Sequence, residues 1–193
     1  QNQIKVANNY ARKQRDPKKR NNILKASQDL SNLINELVDA MKLAAENPND
    51  EQAQQRLRDA IERAKKANMA IAAATTDNPE EEMARLHQKT LESLDKLWEA
   101  IKSGDLQAIA AALKELNDDI NREIIMAKAV AENSDDPERK KRIYDAIENL
   151  QGFQSQILPT IKAYNANPNS PQNQAALANL YDNTKKALED LLA

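Results

Sequence analysis

Residues 20–50 read RNNILKASQDLSNLINELVDAMKLAAENPND, and the spacing of apolar residues within that run decides the fold. Ile23, Ala26, Leu30, Leu33, Leu37, Ala40 and Ala44 recur at alternating intervals of three and four, which puts them on one stripe of an α-helix. Upstream, Asp16-Pro17 supplies a capping side chain and a proline that the first helical turn tolerates. Downstream, Asn47-Pro48-Asn49 ends the run. The segment is therefore predicted to be one helix over about 17 to 46, with a single face to bury.

The same punctuation recurs along the chain. Pro17, Pro48, Pro79, Pro137, Pro168 and Pro171 each stand beside Asn, Asp or Ser and mark boundaries. Asn78 followed by Glu81 forms a capping box, and Ser103-Gly104-Asp105 ends one helix and caps the next. The remaining predicted helices run over about 1 to 14, 50 to 75, 79 to 103, 105 to 133, 137 to 166 and 171 to 193. The fourth carries Leu94, Leu97 and Ile101 on its apolar face. The fifth carries Leu106, Ile109, Leu113, Leu116, Ile120, Ala127 and Val130. Composition agrees: two glycines, 3% aromatic residues and a predominance of good helix formers among 193 residues. Helices of about 25 to 30 residues are roughly 38 to 45 Å long, and short turns between them force antiparallel neighbours. An elongated all-α architecture of tandem antiparallel helical bundles, about seven helices in all, is expected.

Sliding the chain by 120 residues lays DPKKRNNILKASQDL on DPERKKRIYDAIENL and carries Asn47-Pro48-Asn49 onto Asn167-Pro168-Asn169 without a gap. Residues 16–70 then show 15 identities with 136–190, among them Ile23/Ile143, Leu30/Leu150, Leu57/Leu177 and Lys65-Lys66-Ala67/Lys185-Lys186-Ala187. A period of 120 corresponds to four helices per unit. The expected domains are a three-helix bundle over 1–77, completed by the fourth helix or by an upstream one, and a four-helix bundle over 78–193. The chain reads as a segment of a longer rod, and an incomplete bundle exposing apolar surface would suit a homodimer.

These features resemble the vinculin and α-catenin family, with the talin rod as a more distant relative. The resemblance rests on the amphipathic helix of residues 20–50 with its Asn-Pro-Asn turn, on QAQQRLRDAIERA after it, and on the looser copy from Arg142 to Ala187. It implies a cytoplasmic scaffold, at the cytoskeleton or a cell junction, that links membrane complexes to actin through bundle surfaces and, in some members, through released helices.

Chemistry-bearing motifs are sparse. Zero cysteines exclude disulfides, thiolate metal sites and cysteine nucleophiles. The lone histidine, His87, lies near the edge of the fourth helix's apolar stripe. Ala84 stands where a Glu-x-x-His metal motif needs its glutamate, so His87 reads as a packing residue. No serine, threonine or lysine stands in a recognisable triad, and two glycines cannot build a phosphate loop. No enzyme activity, metal or cofactor is expected. A formal net charge of -2 argues against a dedicated nucleic-acid binder. Trp98, Tyr144 and Phe153 read as packing residues.

Two local features are candidate sites. Lys18, Lys19 and Arg20 fall in the first turn of the second helix, where the helix dipole disfavours cations by about 0.3 to 1 kcal/mol each. Either Glu80, Glu81 and Glu82 neutralise them, or they await an anionic partner, acidic phospholipid or an acidic protein surface. Arg139, Lys140, Lys141 and Arg142 would then make a second contact. Pro159 falls inside the sixth helix and, with Gly152, marks a candidate weak point where that bundle could open. The expected function is a non-enzymatic cytoskeletal adhesion scaffold. The alternatives are a helical-bundle sensor, for which a cavity lined by Thr90, Asn121 and Glu123 would speak, and an idealised bundle without a biological partner.

Overall fold

The protein's structure, a computed structural model, describes residues 1–192. Those residues form seven α-helices and no strand: α1 (Asn2–Lys13), α2 (Pro17–Glu46), α3 (Glu51–Ala74), α4 (Pro79–Ser103), α5 (Leu106–Asn133), α6 (Pro137–Ala166) and α7 (Pro171–Leu192). The all-α class expected from the periodicity holds, and helix bounds fall within two residues of those read from the caps. Asp16, Asp50, Asp105 and Asp136 each accept backbone N–H bonds in the first turn of the helix they precede. Asn78 does the same for Glu81, and its side-chain amide donates to the Glu81 carboxylate. Gly104 closes α4 in the left-handed conformation at φ 72°, a geometry that costs a side-chain-bearing residue about 1 to 2 kcal/mol.

Both Asn-Pro-Asn turns are held by the helix that follows them. Gln54 Nε2 donates to the Ala44 and Pro48 carbonyls at 3.2 and 3.4 Å, and Gln174 Nε2 donates to the Pro168 carbonyl at 2.9 Å. Asn173 adds bonds to Ala163 and Asn167. The carbonyls a helix leaves without partners at its C-terminus are thus satisfied from outside.

The chain divides into two compact units, Gln1–Asp77 and Asn78–Ala193. In the first, α1 and α3 pack on α2 around Ala7, Ala11, Ile23, Leu30 and Ile71. Tyr10 donates to Asp77 and so ties α1 to the end of the unit. At 12 residues α1 is about 18 Å long against about 45 Å for α2, so it covers only part of the α2–α3 pair. The rest of the α2 stripe is left only partly covered for that reason. Leu33, Leu37 and Ala40 are half-buried, and Val38 and Met41 are 43% and 54% exposed.

The second unit is a closed bundle in which α4 packs on α5, α5 on α6, α6 on α7, and α7 back on α4. Connections of two to four residues make the neighbours antiparallel. Leu94, Leu97, Ile101, Leu116, Ile120, Leu150, Ile157, Ile161 and Leu188 fill its core at under 2% exposure or close to it. Leu106, assigned to the buried stripe of the fifth helix, is instead 68% exposed, because it is the first residue of α5 and lies beyond the core.

Candidate functional site

Lys18, Lys19 and Arg20 occupy the first turn of α2, directly after the Asp16 cap. The Asp16 carboxylate accepts the Lys18 backbone N–H at 2.9 Å and places a negative charge at the helix end that the three cations crowd. Lys19 Nζ lies 5.5 Å from the centroid of the Tyr10 ring and 3.4 Å from its hydroxyl, a cation–π arrangement. Lys18 and Arg20 are exposed. Glu80, Glu81 and Glu82, offered from sequence as partners for this triplet, each have a partner within the second unit. Glu80 pairs with Arg139 at 2.7 Å, Glu81 completes the Asn78 capping box, and Glu82 pairs with Arg85 at 2.5 Å. The Arg85 hydrogen bond is the main reason the Glu82 carboxyl lies below its ordinary range.

The four cations near the start of α6 are partly neutralised from within their own bundle. Arg139 holds Glu80, and Lys140 holds Glu132 at 2.9 Å. Glu132 also accepts the Tyr144 hydroxyl at 2.5 Å, and burial together with that bond pushes Tyr144 up to about 12. Lys141 and Arg142 remain exposed. The basic residues therefore stand as two clusters near helix N-termini, one per unit, each following an aspartate cap.

Gly152 and Pro159 lie seven residues apart on the exposed side of α6. The helix runs through Pro159 without interruption, held by Ile157 and Ile161, which flank it in the core. Pro159 cannot donate to the Ser155 carbonyl. Nothing lies within 4 Å of a Cβ built on Gly152, so open space rather than close packing surrounds it.

Sequence reasoning missed the polar cluster inside the second unit. His87 Nδ1 lies 2.9 Å from Glu123 Oε1, with Glu123 fully buried. Ser93 donates to Asp119 at 2.5 Å, and Asp119 also meets Lys89 at 3.2 Å and Arg122 at 3.6 Å. The signal was present: Asp119 follows Leu116 by three, and Glu123 follows Ile120 by three and precedes Ala127 by four, all inward spacings. Thr90 and Glu123, offered as lining for a ligand cavity, are packed at 0% exposure, and the Thr90 hydroxyl returns to the Leu86 carbonyl. Asn121 is half-buried and bonds Gln154 at 3.4 Å. Among the described residues no three His, Cys, Asp or Glu side chains converge as a metal site. No described helix is long and apolar enough to cross a membrane.

No family model matches the chain. The probable vinculin of Dictyostelium discoideum is 34% identical to it over 186 residues, an alignment that takes in 96% of this chain. The chain spans 22% of that relative's length.

Proposed function

We propose that this chain is a bundle segment of a non-enzymatic cytoskeletal adhesion scaffold, one that connects membrane or junction complexes to actin filaments through its helical surfaces. The observation that carries the proposal is the similarity to a probable vinculin along nearly the whole chain, on a backbone of capped, antiparallel helices. The offset of 120 residues supports it: α2 and α6 are both 30 residues long, and the bounds of one follow from those of the other by that shift. Duplicated helical units set binding surfaces at fixed spacings, which is what a scaffold does.

In this reading Lys18, Lys19 and Arg20, with Lys141 and Arg142, are the contacts for an anionic partner, an acidic phospholipid surface or an acidic stretch of protein. A cluster of cations near such a surface contributes about 1 kcal/mol per residue. Gly152 and Pro159 are the place where the second bundle yields when a partner or load pulls on α6.

Co-sedimentation tests the proposal. The chain, alone and extended by its natural flanking sequence, is spun with actin filaments and separately with vesicles containing one-third phosphatidylserine. Pelleting with either that falls several-fold when Lys18, Lys19 and Arg20 are changed together to Gln supports the assigned contacts. Pelleting with neither target, in both forms of the chain, removes the scaffold reading. Pelleting that the triple variant leaves unchanged removes the basic clusters from it.

A further inference from the structure

A groove on the α4–α7 side of the second unit is used by neither the bundle core nor the basic clusters. It has a volume of about 510 Å³ and a floor of Trp98, Tyr164, Leu177 and Tyr181. Trp98 is only 8% exposed and meets the Tyr181 ring edge to face, with centroids 5.3 Å apart. The Tyr181 hydroxyl donates to Asp95 across the α4–α7 seam, which fixes the ring in place. Its floor is thus formed before anything binds, and preformation reduces the ordering cost of association.

Around the floor stand Asp95, Glu99 and Asp182, opposed by Lys102 alone. Several carboxylates elsewhere in the unit are compensated. Glu80, Glu115, Asp119 and Glu132 each face a cation on another helix, supplied by Arg139, Lys96, Lys89 and Lys140. Among the described residues Glu99 and Asp182 have no such partner. An aromatic floor with uncompensated carboxylates at its rim matches one kind of side chain closely. A guanidinium is planar, stacks against aromatic rings, and presents edge N–H groups to carboxylates in pairs. An ammonium answers the charge but not the plane.

We propose that this groove docks an arginine-bearing segment of a partner protein, with the guanidinium packed against the Trp98–Tyr181 floor and paired with Glu99 and Asp182. An acidic lipid or acidic peptide is repelled here, so the groove and the basic clusters select partners of opposite charge. The inference does not depend on the anionic-partner assignment, and the two fail separately.

Trp98 is the chain's single tryptophan, so its emission reports this groove and no other place. The full chain is titrated at low ionic strength with a nine-residue peptide alternating Arg and Ala, with Lys/Ala and Glu/Ala versions as comparators. Expected are a saturable change in Trp98 emission with the Arg peptide, weaker binding of the Lys peptide and none of the Glu peptide. Glu99→Gln combined with Asp182→Asn should weaken the Arg peptide by about tenfold, the range for two partly exposed ion pairs. Lys102→Ala should tighten it. Both altered carboxylates are exposed, so the fold is retained, and circular dichroism checks this. The proposal is overturned by an absent or unsaturable response, or by a double variant that binds like the parent. It is equally overturned if Asp145→Asn with Glu148→Gln, exposed on α6, weakens binding as much, since the peptide would then be reading net charge alone.

Discussion

Tyr181 shows how one side chain couples packing to protonation. Its hydroxyl bond to Asp95, then its burial and the charges of Asp95 and Asp182, push it up to about 12 from an ordinary value of 10.0. Between those two values the unfolded chain loses the proton while the folded chain keeps it. The unfolded state then binds fewer protons, so stability falls as pH rises. The contribution is complete below pH 10 and is lost as pH passes about 12. Urea midpoints of the parent measured from pH 9 to pH 12 should therefore decline more steeply than those of Tyr181→Phe, and parallel slopes would contradict the assignment. The same scale explains what reading the sequence left out. Gln54 and Gln174 were visible as identical positions, but periodicity says nothing of a side chain that reaches back to cap the preceding turn. Glu123 and Asp119 sit at inward spacings, yet charge argues for solvent, and only the presence of His87 and Ser93 opposite resolves the conflict.

Among elements, α2 and α6 form an internal comparison. Both have 30 residues, an aspartate cap, a proline in the first turn and an Asn-Pro-Asn exit. Met41 and Ile161 occupy corresponding positions, 120 residues apart, but Met41 is 54% exposed and Ile161 is 2% exposed. What differs is the cover: α6 packs against α5 and α7 in a closed ring, whereas α1 reaches only the first half of α2. Met41→Lys should consequently change stability by no more than about 0.5 kcal/mol, the usual range for surface substitutions. Ile161→Lys should cost at least about 3 kcal/mol, since it buries an unpaired charge. Urea unfolding followed by circular dichroism compares the two, and equal effects would show that the α2 face is covered in solution. Pro159→Ala restores a donor to the Ser155 carbonyl and should raise the unfolding midpoint of the second unit. An unchanged midpoint would mean that α6 absorbs the proline without strain and would deprive the proposed yielding point of its basis.

For the molecule as a whole, the seven helices and the all-α class were legible because a three-four apolar rhythm and a proline-flanked cap are local signals. The groove beside Trp98 was not, because its walls come from α4, α6 and α7 and exist only once α7 closes on α4. Trp98 could be read as a packing residue, and it is one. That it floors a groove depends on Tyr164, Leu177, Tyr181 and Asp182, all more than 60 positions away. That an incomplete first bundle exposes apolar surface could be read from the sequence, but which part of α2 stays open could not: a helix's pattern announces a face to bury, not how far a neighbour covers it.

The ring closure of the second unit sets how it answers to tension. Four antiparallel helices return the chain to the end of the bundle where it entered, so Asn78 and Leu192 lie at the same pole. Handles attached there pull α7 away from α4 crosswise to the helix axes, and the seam parts like a zip, one helical turn at a time, instead of resisting like a lap joint. Optical-tweezer traces from those handles should show yielding at low force in small steps, whereas handles at Asn78 and Asn133 should do the same and handles at Asn78 and Gly104, loading α4 along its length, should require markedly more.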